Sequence, residues 1–243
     1  MLNRVYSVFD RRLRPLRNHV YLVFPEHNIA YARVAEPAFQ ALGGVLNHLA
    51  GNKHSLQSIR QDTHASERNE QLLFHGNVEL LTARELKRRY PDTKVIAWVQ
   101  DPAQRLSYCY ERVILSQNAL PSYYSESGFD QLMSPQEFVE HISSISDLEA
   151  DNLFRSQSAA LTHKGTLTAD IVLQVEQFDH SLAAFLSEST VAMRNIPRSR
   201  YRISDFVSYG TLCSFEDEGI RRKLQRRYHA DYDLFYAEEA AYA

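Results

Sequence analysis

Apolar and polar positions follow two periods along this chain. Short apolar runs at Val20–Phe24 and Ile29–Val34, divided by the turn-like Pro25-Glu26-His27-Asn28, predict two strands. From Leu42, apolar residues recur at Val45, Leu46 and Leu49, the spacing of an amphipathic helix, and Pro37 suits its first turn. Thr82–Arg89 reads as a helix closed by Tyr90-Pro91-Asp92. Lys94–Val99 is a continuous apolar run that stops at Gln100-Asp101-Pro102, and a helix from Ala103 to about Gln117 follows. Ser134-Pro135-Gln136-Glu137 places a capping Ser, a Pro and a Glu at a helix start running through Phe138, Val139 and Ile142. Asp151–Leu161 is predicted helical, Asp170–Val175 a strand, and Leu182–Leu186 part of a helix. Ser214 is placed to cap a long basic helix reaching Tyr228. Polar stretches at 51–71 and 118–133 read as loops. Strands alternating with helices predict a three-layer α/β protein with a mostly parallel open sheet flanked by helices. No linker composition divides residues 1–243, so one domain is expected.

Composition narrows the class. With 44% hydrophobic and 11% aromatic residues the chain can fill a core, so disorder is excluded as a general description. A formal charge of −3 argues against a general nucleic-acid binder. Two basic clusters stand out, Arg4, Arg11, Arg12, Arg14 and Arg17, and Arg221, Arg222, Lys223, Arg226 and Arg227. Each reads either as a solvated helix face or as an electropositive rim that draws an anionic substrate. Cys109 and Cys213 make no disulfide framework, which fits a reducing compartment. The first residues lack the apolar core of a signal peptide, and Val20–Phe24 is too short to span a membrane, so a cytoplasmic protein is expected.

Several chemistries have no motif here. Neither G-x-x-x-x-G-K-[ST] nor G-x-G-x-x-G occurs, nor a G-x-S-x-G elbow. Ten histidines form no H-x-x-x-H pair, so no metal site is expected. Tyr123-Tyr124 reads either as a stacking surface for a sugar or as an ordinary loop contact.

The strand, break and helix at Lys94–Tyr110 carry the pattern D-P-x-x-R-x-S-x-x-Y, and strand ends of this kind hold phosphate-bearing ligands in open α/β sheets. Three further segments accompany it: Ile29–Leu42; Asp151-Asn152-Leu153-Phe154-Arg155-Ser156-Gln157 with Asp170–Glu176; and Leu224–Phe235 with Tyr228, Asp231 and Tyr232. In this order the four segments resemble the carbohydrate-type (family 2) sulfotransferases, which use 3′-phosphoadenosine 5′-phosphosulfate (PAPS) as donor. The resemblance implies a P-loop-like sulfotransferase fold and transfer of a sulfuryl group to a hydroxyl of a carbohydrate or similar acceptor. It also implies a loop at a helix N-terminus around the 5′-phosphosulfate, whose Lys meets the bridging oxygen.

Laid on that loop, Glu36 stands for the Lys, with Pro37, Ala38, Phe39, Gln40 and Ala41 as the remaining donor-binding positions. A carboxylate ~4 Å from a phosphate or sulfate oxygen is repelled by about 4 kcal/mol at an effective dielectric near 20. Arg33 is the one Lys or Arg between His19 and Asn52, and so the one candidate replacement. For the 3′-phosphate the resemblance implies Gln100, in place of an Arg, and Ser107. Arg105 and Arg155 read either as ligand contacts or as structural ion pairs. Leu153 replaces a His, which removes one candidate base. Glu176 reads as a base or ribose contact, or as an anchor for a neighbouring backbone. This loop is degenerate, and the alternative to a transferase is a non-catalytic nucleotide- or glycan-binding protein on the same fold.

Overall fold

The computed structural model describes residues 18–51, 76–116, 120, 122–182, 215 and 217–237. The arginine cluster at 4–17, most of the polar stretch 51–71, Cys213, Ser214, the Tyr123 side chain and the helix end near Leu186 lie outside the described residues.

The strands are β1 (Tyr21–Phe24), β2 (Ile29–Ala32), β3 (Glu79–Leu81), β4 (Lys94–Val99), β5 (Thr162–His163), β6 (Thr166–Leu167) and β7 (Ile171–Gln174). The helices are α1 (Glu36–Ala41), α2 (Gly43–Leu49), α3 (Ala83–Arg89), α4 (Pro102–Val113), α5 (Ser122–Glu126), α6 (Pro135–Ser144), α7 (Gln157–Leu161), α8 (Glu218–Arg227) and α9 (His229–Phe235). Five strands form a mixed sheet in the order β3-β1-β2-β4-β7. β1 pairs antiparallel with both β2 and β3, whereas β2, β4 and β7 are mutually parallel. Only β1 runs against the rest, because the Pro25–His27 turn, with Asn28 left-handed at φ 54°, folds it back on β2. The small β5–β6 hairpin turns through Lys164 and Gly165, both at positive φ, as a two-residue hairpin loop requires.

Strand alternation divides β4 between two layers. Ile96 and Trp98 pack with Tyr31, α1 and α2 on one face of the sheet. Val95, Ala97 and Val99 pack with Leu86, Leu161 and Tyr236 on the other. A third cluster joins α4, α6 and α8 through Leu106, Tyr110, Phe138, Phe154, Leu224 and Tyr228. Two helix starts follow the sequence closely: Thr82 and Ser134 each form a reciprocal capping box, with Glu85 and Glu137.

Several boundaries differ from expectation, each for a local reason. The predicted helix at 37–49 is broken at Leu42 into α1 and α2. Asp151 bonds the Leu153 amide within turns, so the segment becomes helical only at Gln157. The basic helix begins later than expected, capped by Asp217, and ends at Arg227 before α9. Residues 118–133 include the short α5. Among the described residues no helix is long and apolar enough to cross a membrane.

Candidate functional site

The chain leaves β2 through α1 and α2, builds β3 on the far side of β1, and returns as β4 against the other edge of β2. That reversal makes the C-terminal ends of β2 and β4 a topological switch point, where open α/β sheets hold their ligands.

At the end of β4 the backbone is held on every side. Gln157 accepts from the Gln100 amide at 2.9 Å and donates to the Gln100 carbonyl at 2.8 Å. Gln157 is itself fixed by Asp231, whose two oxygens accept from the Gln157 and Ser158 amides at 2.9 and 2.7 Å. Asp231 is fully buried, and the α7 N-terminus is its partner. Beside it the Tyr228 hydroxyl donates to the Phe154 carbonyl. One residue beyond Gln100, the Asp101 amide donates to Glu176 Oε1 at 2.7 Å, while Tyr236 donates to Glu176 Oε2 at 3.2 Å. Burial of the Glu176 carboxyl pushes its pKa up, with the Asp101 hydrogen bond pulling the other way. The Asp101 side chain caps α4, accepting from the Ala103 and Gln104 amides. These amides are therefore already occupied.

The end of β2 is differently charged. Glu36, the first residue of α1, is gripped by Arg33: Nε and Nη2 lie 3.1–3.2 Å from its oxygens. The Arg33 guanidinium also sits 4.0 Å from the centroid of the Phe39 ring. Arg33 and Glu36 thus form one ion pair across the loop, with Gln40 reaching Glu36 at 3.5 Å. Pro37, Ala38, Phe39 and Ala41 face the core, which leaves backbone as their route to a ligand. Ala35, at the cap position of α1, supplies no side-chain acceptor.

Helix α4 brings further groups. Ser107 is buried at 1% exposure. Tyr108, the next residue, accepts a hydrogen bond at 3.0 Å from the exposed residue Arg112. Burial pushes the Tyr108 phenol up to about 12, Arg112 pulling it down and the Glu36 carboxylate pushing it further. Residue type and spacing do not single out Tyr108, because a phenol in a helical pattern signals core as readily as ligand contact. Arg105 is a clamp, donating from its two Nη atoms to the carbonyls of Arg155 and Asn152 at 2.6 Å each. Arg155 donates to Asn18 Oδ1 and to the Ala159 carbonyl.

Two polar groups at these strand ends lack a hydrogen-bond partner among the described residues. They are the Tyr31 hydroxyl and the amide of Gln100, whose side-chain oxygen and nitrogen are both buried. Burial raises the Tyr31 pKa, Glu36 adding to it and Arg33 opposing. Orphaned buried polar groups each cost about 1–3 kcal/mol, so two at one switch point mark a place suited to a polar ligand. The uncharged Gln100 and the paired Glu36 make that place less cationic than the resemblance implies.

A pocket of about 300 Å³ opens beside Asp101, lined by Ala103, Gln104, Phe215, Arg221 and Tyr232 among others. Arg221 alone of the basic α8 cluster lines it. Arg222 pairs with Glu218, Lys223 with Glu140, and Arg227 with Asp147 at 2.7 Å, so most of that cluster's charge is balanced locally.

The ends of β2 and β4 thus combine a parallel-strand crevice, a capped helix, a helix without a side-chain cap and buried polar groups without partners among the described residues. A family model described as the Sulfotransferase family matches residues 19–237, and the chain belongs to that family. The match spans all four segments singled out in the sequence. The chain matches no curated protein and no solved structure.

Proposed function

We propose that the protein binds PAPS across the ends of β2 and β4 and transfers its sulfuryl group to a hydroxyl of a carbohydrate or similar acceptor. In that reaction the acceptor oxygen bonds to sulfur, the bridging S–O bond breaks, and adenosine 3′,5′-bisphosphate leaves with the electron pair as the hydroxyl releases its proton. The observation that carries the reading is the buried side-chain amide of Gln100, without a hydrogen-bond partner among the described residues, at the strand end of a sulfotransferase-family chain. The amide is a hydrogen-bond donor where the family binds the 3′-phosphate, and Ser107 or its neighbour Tyr108 is the accompanying hydroxyl. The backbone of Glu36 to Ala41 surrounds the 5′ end. Glu176 serves as an anchor, since its two oxygens already hold the Asp101 amide and Tyr236. The pocket at Phe215, Arg221 and Tyr232 offers ring faces and a cation to the acceptor.

The Arg33–Glu36 pair favours a second reading, a binding protein without turnover. A guanidinium engaged by a carboxylate neutralises a leaving oxygen less well than a free cation. Calorimetric titration with adenosine 3′,5′-bisphosphate, run beside an assay of sulfuryl transfer from PAPS, separates the two. Binding with transfer supports the first reading and binding without transfer the second. No binding overturns the first reading and the nucleotide-binding form of the second, leaving the glycan-binding form.

A further inference from the structure

At the end of β2 a guanidinium and a carboxylate are matched edge to edge. Arg33, one residue past the strand, donates from Nε and Nη2 to Glu36 at N···O distances of 3.1–3.2 Å. That edge of a guanidinium grips carboxylate and phosphate alike, through two parallel bonds. Glu36 therefore occupies the face of Arg33 that a phosphate or sulfate would take. The pair also stands where such a ligand would arrive. β2 and β4 are parallel with Ala32 opposite Ala97, so Arg33 and the Gln100–Asp101 break leave neighbouring strands at the same end of the sheet.

Arg33 has a second hold that does not depend on Glu36. Its guanidinium lies 4.0 Å from the centroid of the Phe39 ring, within cation–π range. Phe39 in turn stacks on Tyr31, with centroids 6.3 Å apart and planes 17° from parallel. Tyr31 is fully buried, and its hydroxyl lacks a hydrogen-bond partner among the described residues. Cation, two rings and orphan hydroxyl thus form one stack from the end of β2 into the core. The guanidiniums of Arg105 and Arg155 are instead fixed to backbone carbonyls, which cannot leave without moving the chain. Glu36 can leave Arg33 by rotation of its own side chain, which is 12% exposed against 29% for Arg33.

We infer that Glu36 is an exchangeable internal counter-ion: the oxyanion at the 5′ end of the donor nucleotide displaces its carboxylate from Arg33, with the guanidinium still held over Phe39. The inference rests on the donor-site reading above. Without ligand the pair is neutral; with ligand Arg33 supplies the charge that the loop otherwise lacks. A purely structural ion pair, stapling α1 to β2, predicts that Glu36→Gln lowers stability and leaves ligand affinity alone.

The test is calorimetric titration of wild type, Glu36→Gln, Glu36→Ala and the double variant Arg33→Gln/Glu36→Gln at two salt concentrations. The probes are adenosine 3′,5′-bisphosphate and adenosine 3′-monophosphate. Glu36→Gln and Glu36→Ala are each expected to tighten bisphosphate binding about tenfold and to steepen its salt dependence, because a half-buried carboxylate no longer competes for Arg33. Adenosine 3′-monophosphate, with no oxyanion at its 5′ end, should bind wild type and Glu36→Gln within twofold of each other. The double variant should return to wild-type affinity or below, since the gain needs the released guanidinium. Bisphosphate binding by both Glu36 variants within twofold of wild type, or weaker, overturns the exchange and leaves the donor site standing. A gain that survives in the double variant, or extends equally to the 3′-monophosphate, overturns it too. Absence of wild-type binding overturns the donor site, and the inference with it.

Discussion

Gln157→Ala is the sharpest test of how the strand end is held. The side chain is fully buried, donates to the Gln100 carbonyl at 2.8 Å and accepts from the Gln100 amide at 2.9 Å. Truncation removes both bonds and leaves two buried backbone groups without partners, each costing about 1–3 kcal/mol. A residual void adds to this, so the loss should be about 3–5 kcal/mol, or roughly 6–20 °C in melting temperature for a domain of this size. Urea unfolding should show a lower midpoint with an unchanged slope. Gln157→Glu supplies a second, independent reading. Its carboxylate keeps the acceptor for the Gln100 amide but faces the Gln100 carbonyl with no proton to donate. Burial raises the folded-state pKa of such a carboxyl above its unfolded value. Its contribution is therefore fully present below the unfolded pKa and is lost as pH rises through the folded pKa. The variant should gain stability relative to wild type as pH falls from 7 toward 4.5. A Gln157→Ala cost under 1 kcal/mol, or no pH dependence in the Glu variant, would refute the view that this amide clamps the strand end.

Three further outcomes follow from the same geometry. Asp231→Asn should cost about 2–4 kcal/mol in urea unfolding, because its amide NH₂ meets a backbone N–H where a second acceptor stood; stability equal to wild type would remove Asp231 as the cap of α7. Cys109, its thiol pushed up to about 12 by burial and bonded to the Leu153 carbonyl, should resist iodoacetamide in the native protein and react after unfolding, as peptide mass spectrometry can locate. Glu176 has a raised folded-state pKa, chiefly from burial, so its contribution is present below about pH 4.3–4.5 and is lost as pH rises through the folded value. Glu176→Gln, which retains an acceptor for the Asp101 amide, should therefore be relatively more stable at pH 7 than at pH 4, and an unchanged difference across that range would refute the assignment.

Local signals in the sequence specified much of the fold. The capping box at Ser134 and the apolar run Lys94–Val99 need only near neighbours to be read, and each occurs where expected; the box at Thr82, read only as the start of a helix, is as local. β3 was not anticipated: it spans three residues, and its place is set by pairing with β1 rather than by a pattern of its own. Asp151–Leu161 looked helical throughout because side-chain periodicity does not reveal an aspartate bonding an amide two residues on. At the site, the strand, loop and helix around Glu36 and the motif following Gln100 were legible as segments. The use of their side chains was less so. Arg33 and Glu36 lie three residues apart, yet nothing in that spacing distinguishes an ion pair from two separate ligand contacts. The Tyr228 and Asp231 signature was visible, but its action on Phe154, Gln157 and Ser158 crosses more than 70 residues and depends on tertiary packing.

The dependence of Gln100 on Asp231 has a consequence for the order in which the molecule matures. Roughly 130 residues separate the strand end from the aspartate that fixes its clamp, and at ~5–20 residues per second a ribosome takes about 7–26 s to make them. Throughout that interval β2 and β4 can already pair while the crevice between their ends is unset. Ligand competence in a nascent chain should thus arrive late and abruptly, with the emergence of the Tyr228–Asp231 turn, rather than grow in step with the sheet.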